Sequence, residues 1–313
     1  MSQRRILILG QGAMGRMFSG LLRHDHHVSH WDRDPDSGKE SAVLEQLAPG
    51  HDCVIFAVPA HPHAELAGRI ADCLKTPAIC LSIAKGLDAD GHSPAEIFAQ
   101  HFPAGGLLRW GLVYGPMIAR DLSEGRTGFA LAASPERETA EAMAGLFATT
   151  RLYLQPDDDP VGAAWAAILK NVYVPLIGMS DGLGLGDNLR GFLLAEALRE
   201  LATIVEARGG QGRTAYSLAG LGDLITTATS ASSHHRGIGE ALARGDHSHV
   251  ATDTANLRSE GVNTAVMVQR HGLLRLADYP LFELTVRLLS APENIETAIL
   301  DFVNRRFGRT LAA

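Results

Sequence analysis

Seven short apolar runs separated by longer amphipathic stretches constrain the fold of this chain more than any other feature. They are RILIL (5–9), HVSHW (27–31), CVIFAVP (53–59), AICLSIA (78–84), LRWGLVY (108–114), TGFALAA (127–133) and RLYLQ (151–155). Runs of this length, rich in β-branched and aromatic residues and alternating with helical stretches, imply a mostly parallel sheet covered by helices on both faces. Residues 1–156 are therefore expected to form a doubly wound α/β domain. At QPDDDP (155–160) two prolines bracket three aspartates, and no strand-like run of comparable length follows. The rest, 157–313, reads as an all-α domain, and the same cluster serves as a helix N-terminus with Pro160 in its first turn. With 313 residues, 46% of them hydrophobic and only 20% charged, the chain is long enough for two cores.

The first run leads directly into a glycine turn. RRILILGQGAMG places Gly10, Gly12 and Gly15 after a strand and before the amphipathic stretch RMFSGLLR. The first glycine permits a tight turn, the second lets the backbone approach a pyrophosphate, and the third lets the helix lie close on the strand. The helix N-terminus then faces the phosphates. The next strand ends in HWDRDP, where Asp32 is placed to hold ribose hydroxyls and Arg33 to pair with a 2′-phosphate. These adjacent residues supply a device for NAD and one for NADP, and the preference stays open.

Other classes of function fit poorly. A formal charge of −7 argues against a surface for duplex DNA or an anionic membrane. Cys53, Cys73 and Cys80 are odd in number and lack a Cys-x-x-Cys spacing, which indicates neither a disulfide framework nor a zinc cradle. His24, His26, His27 and His30 have no fixed ligand spacing and read as a solvated histidine-rich loop, so no metal is expected. The N-terminal apolar run is too short for a signal peptide, and a cytoplasmic location is expected.

The stretch AAWAAILKNVYVPLIGM (163–179) has the length of a membrane span, yet carries Lys170, Asn171 and Pro175 near its middle. Charge there is expensive in lipid, so a buried helix of a soluble domain is the expectation. An unpaired ammonium in apolar surroundings costs several kcal/mol or loses its proton. A partner is offered by LAGLGDLITTATS (218–230), where Asp223 and Thr227 stand four apart and share a helix face. Hydride transfer to a carbonyl needs a proton donor at the developing alkoxide, and a buried lysine held by an aspartate supplies one. Lys170 is thus read as an acid/base, with Asp223 as its partner and Asn171 as a hydrogen-bonding group for substrate. The alternative is an ion pair that only locks two helices together.

Taken in order, GQGAMG, SIAKGL, GPMIA, ILKNVY, DGLGLGDN, LAGLGDLITT and EGVNTA resemble the bacterial glycerol-3-phosphate dehydrogenases over nearly the whole chain. The resemblance implies interconversion of dihydroxyacetone phosphate and sn-glycerol 3-phosphate with NADH or NADPH, for phospholipid synthesis. It also implies a Rossmann domain, a helical domain and commonly a homodimer. It makes Lys170 the proton-transferring residue and places Asp223 in the substrate site. Lys85 contacts substrate and cofactor, Thr227 positions substrate, and Gly115 opens a Gly-Pro turn against the substrate. Ala119 and Glu260 fall on cofactor contacts, and Ala13 and Met14 follow as backbone contacts of the first turn.

Two departures bear on substrate. Met117 stands where the family usually has Ser or Thr, and Ser233-His234-His235 replaces a Ser-Arg-Asn triplet that holds the substrate phosphate, its arginine also reaching the cofactor. Loss of a charge-assisted arginine contact weakens phosphate binding by roughly 1.5–3 kcal/mol. A protonated histidine replaces part of that, and Arg236 offers a further cation. Two other expectations therefore stay beside the first: a reductase of another small 2-oxo compound, and a non-catalytic dinucleotide-binding protein.

Overall fold

The computed structural model describes residues 3–33, 43–246, 248 and 259–309. The chain divides into two compact units, Met1–Ala164 and Trp165–Ala313. The first contains seven strands: β1 (Arg5–Leu9), β2 (His27–Trp31), β3 (Cys53–Phe56), β4 (Ala78–Ser82), β5 (Leu108–Tyr114), β6 (Gly128–Ala133) and β7 (Leu152–Asp157). They form one sheet in the order β2-β1-β3-β4-β5-β6-β7, in which every neighbouring pair is parallel except β5–β6. Helices α1 (Ala13–Leu22), α2 (Leu44–Leu47), α3 (His63–Cys73), α4 (Pro94–His101), α5 (Ala119–Ser123) and α6 (Arg137–Leu146) accompany it.

Strand composition follows position. β3 is buried along its length and β1 from Ile6 onward, which is why both read as unbroken apolar runs. β7 lies at the edge and alternates, with Leu152 buried and Tyr153 exposed. It runs through Pro156 to Asp157, an edge position being where a strand tolerates the missing N–H of proline. The sheet reverses its winding at β1, which lies between β2 and β3. In open α/β sheets, ligands bind outside the carboxyl ends of the strands at such a reversal.

The second unit holds most of α7 (Pro160–Gly182), then α8 (Asp187–Ala207), α9 (Asp223–Thr229), α10 (His234–Ala243), α11 (Glu260–Arg270), α12 (Pro280–Ser290) and α13 (Ile295–Arg306). Among its described residues there is no strand. α7 begins where Asp159 Oδ1 accepts from the Gly162 N–H at 2.8 Å, with Pro160 in its first turn. It is long and apolar enough to cross a membrane, but 94% of its most apolar window is buried inside the protein. A helix apolar all round belongs in a core. Glycines let α10 approach it: a Cβ at Gly239 would strike the Pro175 carbonyl, and one at Gly178 the Arg236 carbonyl.

Two buried polar groups brace the units. In the second, the Glu200 carboxylate accepts from the Leu281 and Phe282 N–H groups at 2.7 and 2.8 Å and from the Tyr173 hydroxyl at 3.0 Å, satisfying the first turn of α12. Burial nevertheless pushes the Glu200 carboxyl above its ordinary range, the three hydrogen bonds offsetting part of the rise. In the first unit His63 is fully buried between Phe56 and Phe98. Burial pulls its pKa down from 6.5 to about 4.

The sign of the His63 effect is fixed by that shift. Between pH 6.5 and about 4 the unfolded chain takes up a proton that the folded protein refuses. The stability it confers is complete above 6.5 and is lost as the pH falls toward 4, by about 3 kcal/mol at 1.36 kcal/mol per unit. Urea unfolding of His63→Phe should show a correspondingly shallower loss of stability across this window than the wild type, and equal slopes would contradict it.

Candidate active site

In the first unit the glycine turn caps the carboxyl end of β1. Gly10 has φ +100°, which favours glycine, and its N–H donates to the Trp31 carbonyl at 2.8 Å at the end of β2. A Cβ on Gly10 would lie 2.5 Å from the Ala57 carbonyl oxygen, just beyond β3, and one on Gly15 would strike the Gly10 carbonyl. The turn thus closes over the reversal between β1 and β3. Gly12 differs: a Cβ there would meet no protein atom within 4 Å, so the backbone faces open space. Gly12 is the N-cap of α1, which Ala13 and Met14 begin, and no acidic side chain occupies the first turn. Asp32 Oδ2 accepts from the Gln11 N–H at 2.7 Å, which ties the acid to the turn. These residues fit a dinucleotide: backbone N–H groups and a helix N-terminus for the pyrophosphate, and a carboxylate beyond β2 for a ribose. Arg33 turns to Glu65, at 3.0 Å, with both side chains more than half exposed.

The remaining first-unit candidates lie after β4 and β5. Lys85 is half-buried, with Nζ 3.5 Å from the Gly115 carbonyl. Gly115 packs so tightly that a Cβ would strike the Phe129 carbonyl and lie 2.6 Å from Ala130 Cα. Met117 is buried in the apolar core, and Ala119, the first residue of α5, packs against that core. A thioether in place of a hydroxyl at 117 therefore adds apolar volume. His26, expected in a solvated loop, is instead buried. Its Nδ1 accepts from the Arg4 N–H at 3.3 Å and its Nε2 donates to the Leu146 carbonyl at 3.1 Å, so the ring braces the C-terminal turn of α6.

In the second unit Lys170, Asp223 and Thr227 come together. Lys170 and Asp223 are each 4% exposed, and Lys170 Nζ lies 3.2 Å from Asp223 Oδ2 and donates to Thr227 Oγ1 at 2.7 Å. The Thr227 hydroxyl donates to Asp223 Oδ1 at 3.3 Å, closing a ring of three groups. α9 begins directly after a π-helical turn, Leu218–Gly222, of a kind frequent at functional sites. A Cβ at Gly220 would strike the Ala215 carbonyl, so only glycine allows that turn its packing.

Asn171 is buried beside Lys170, and its carbonyl lies against Gly261 in the first turn of α11, next to Glu260. α10 opens with His234 and His235 behind the N-cap Ser233, whose hydroxyl accepts from the Arg236 N–H at 3.2 Å. The two rings lie 6.0 Å apart, and His235 Nδ1 lies 3.3 Å from Ser259 Oγ. Ser259, the N-cap of α11, is a contact the sequence reading missed; the cue was its place before the Glu260–Arg270 helix. Arg236 offers no spare cation to this turn. It is committed to Asp181 at 3.1 Å and to Glu240 at 2.8 Å, and Asp181 also binds Arg190 at 2.7 Å.

A buried ion pair is costly to halve, because the surviving charge keeps its desolvation penalty. Lys170→Met alone should lower unfolding stability by roughly 3–5 kcal/mol, and adding Asp223→Asn should recover a large part of that loss. Denaturant unfolding of both variants checks this, and a silent Lys170→Met would mean the pair is solvated.

Family models described as the N-terminus and the C-terminus of NAD-dependent glycerol-3-phosphate dehydrogenase match residues 39–140 and 159–300. A glycerol-3-phosphate dehydrogenase [NAD(P)+] of Mycobacterium avium is 36% identical over 291 residues, 86% of this chain and 85% of the relative. One of Chlorobium chlorochromatii is 28% identical over 324 residues, covering 96% and 97%. Among solved structures, glycerol-3-phosphate dehydrogenase from Coxiella burnetii superposes with a TM-score of 0.81 at 22% identity, covering 97% of this chain and 99% of its own. A ketopantoate reductase from Ralstonia eutropha shares the fold more distantly, with a TM-score of 0.54 at 18% identity over 95% of this chain and 99% of its own. The chain belongs to the NAD-dependent glycerol-3-phosphate dehydrogenase family.

Proposed function

We propose that the protein interconverts dihydroxyacetone phosphate and sn-glycerol 3-phosphate with NADH or NADPH, the first domain binding the dinucleotide and the second supplying the proton. The observation that carries this is the water-excluded Lys170 ammonium, held by Asp223 and Thr227 on one helix face. When bound, the dihydronicotinamide supplies the hydride. Lys170 gives a proton from Nζ to the carbonyl oxygen as that oxygen gains charge, and takes it back in the reverse direction. Asp223 keeps the amine in place, while Thr227 fixes its direction. Asn171 and Lys85 bind substrate oxygens, with Gly115 and Met117 forming the turn beside Lys85.

On the cofactor side, Gly10, Gly12, Ala13, Met14 and Gly15 receive the pyrophosphate through backbone, and Asp32 receives the ribose. Arg33 serves a 2′-phosphate when it leaves Glu65, and Ala119, His234 and Glu260 complete the contacts. Ser233, His234 and His235 form the modified phosphate pocket. Supply of glycerol 3-phosphate to phospholipid synthesis by a cytoplasmic homodimer goes with this reading. Cys53, Cys73 and Cys80 are all free thiols, and burial pushes the Cys53 thiol up to about 12 and that of Cys80 well above its ordinary value, which keeps both unreactive.

One observation favours a second reading, a reductase of another small 2-oxo compound. The α10 turn carries two histidines, and its only arginine is bound to two carboxylates.

Lys170→Ala should lower kcat by about 10²–10⁴-fold while leaving NADH binding intact, as measured by NADH oxidation and fluorescence titration. Retained turnover would remove Lys170 from its role. Restoring the family's pair with His234→Arg/His235→Asn should lower KM for dihydroxyacetone phosphate by about ten- to hundredfold. A KM that does not move, in an enzyme that prefers an unphosphorylated 2-oxo compound, would favour the second reading.

A further inference from the structure

The backbone before Lys85 is held by a relay of buried side chains that the glycine turn and the Lys170 ring do not use. The Ala84 N–H donates to Ser82 Oγ at 3.1 Å, and the Ala84 carbonyl accepts from the Tyr114 hydroxyl at 2.5 Å. The peptide groups on both sides of Ala84 are therefore pinned by side chains from the last residues of β4 and β5. Ser82 is itself oriented. His63 Nδ1 bonds the Pro59 carbonyl at 2.9 Å and so carries the ring hydrogen. Its Nε2 is left to accept from the Ser82 hydroxyl at 2.7 Å. His63, Ser82 and Tyr114 are all 0% exposed.

A lysine has a long, flexible stem and cannot define its own direction, so the place its ammonium reaches depends on where its backbone starts. Here the carbonyl bonded by Tyr114 belongs to the peptide that begins Lys85, and Lys85 Nζ returns to Gly115, the residue after Tyr114. We propose that Ser82 and Tyr114, with His63 behind Ser82, are positioning residues that set Lys85 for binding of the phosphorylated carbonyl substrate. The inference rests on the reading of Lys85 as a substrate contact. A purely structural role, in which three buried polar groups only satisfy one another, makes a different prediction.

The test is a double-mutant cycle on the full-length enzyme. Ser82→Ala and Tyr114→Phe are each made in the wild type and in Lys85→Ala, with kcat, KM for dihydroxyacetone phosphate, NADH affinity and thermal midpoint measured for all. In the wild type each should raise KM by about tenfold with NADH affinity unchanged, as for loss of one buried hydrogen bond, and Ser82→Thr should restore the value. In Lys85→Ala neither should raise KM further. Equal effects in both backgrounds, or a lower thermal midpoint with KM unmoved, would overturn the positioning role alone. A normal KM in Lys85→Ala itself would remove Lys85 from the substrate site and the proposal with it.

Discussion

A positive charge almost cut off from water has to be matched by its surroundings, and among the described residues Lys170 is the one lysine or arginine so buried. The ammonium lies near the middle of a largely apolar, buried helix, and Asp223 and Thr227 bring it a carboxylate and a hydroxyl from another helix. A well-packed apolar pair of the same volume is often at least as stable as a buried ion pair, so stability alone gives little reason to keep one. The π-helical turn before Asp223 and the glycine that permits it place α9 for this contact. The proposed proton transfer gives the arrangement a purpose that packing does not.

The strands were legible because a parallel sheet buried on both faces leaves an unbroken apolar signature; six of the seven runs contain a whole strand, and the seventh holds the first four residues of β7. Strand order was not legible, nor was the antiparallel step between β5 and β6, since both depend on which edge each connection returns to. The acidic cluster hid the end of β7, because proline at a sheet edge looks the same as proline in a loop. His26 was misread for a similar reason: its burial is decided by the Leu146 carbonyl, 120 residues away.

At the site, Lys170 was conspicuous because ammonium in an apolar run is an anomaly, and Asp223 with Thr227 followed from helical spacing. The relay through His63, Ser82 and Tyr114 left no such trace. Its bonds join residues 19 and 30 positions apart, and each residue type is ordinary in its own segment. Arg236 looked available in sequence and is not, because its carboxylate partners come from two different helices.

Pro175 has a quieter effect on the architecture. It has no N–H to give the carbonyl four residues back, which is that of Asn171, and Gly261 lies against the same carbonyl. An imino acid in one rod and a residue without a side chain in another thus make a single notch, wide enough for bare main chain and nothing larger. Any shift of the later rod along the earlier would drive a Cβ into the notch. The register of Glu260 relative to Asn171 is in this way written into covalent geometry rather than left to the adjustable packing of side chains.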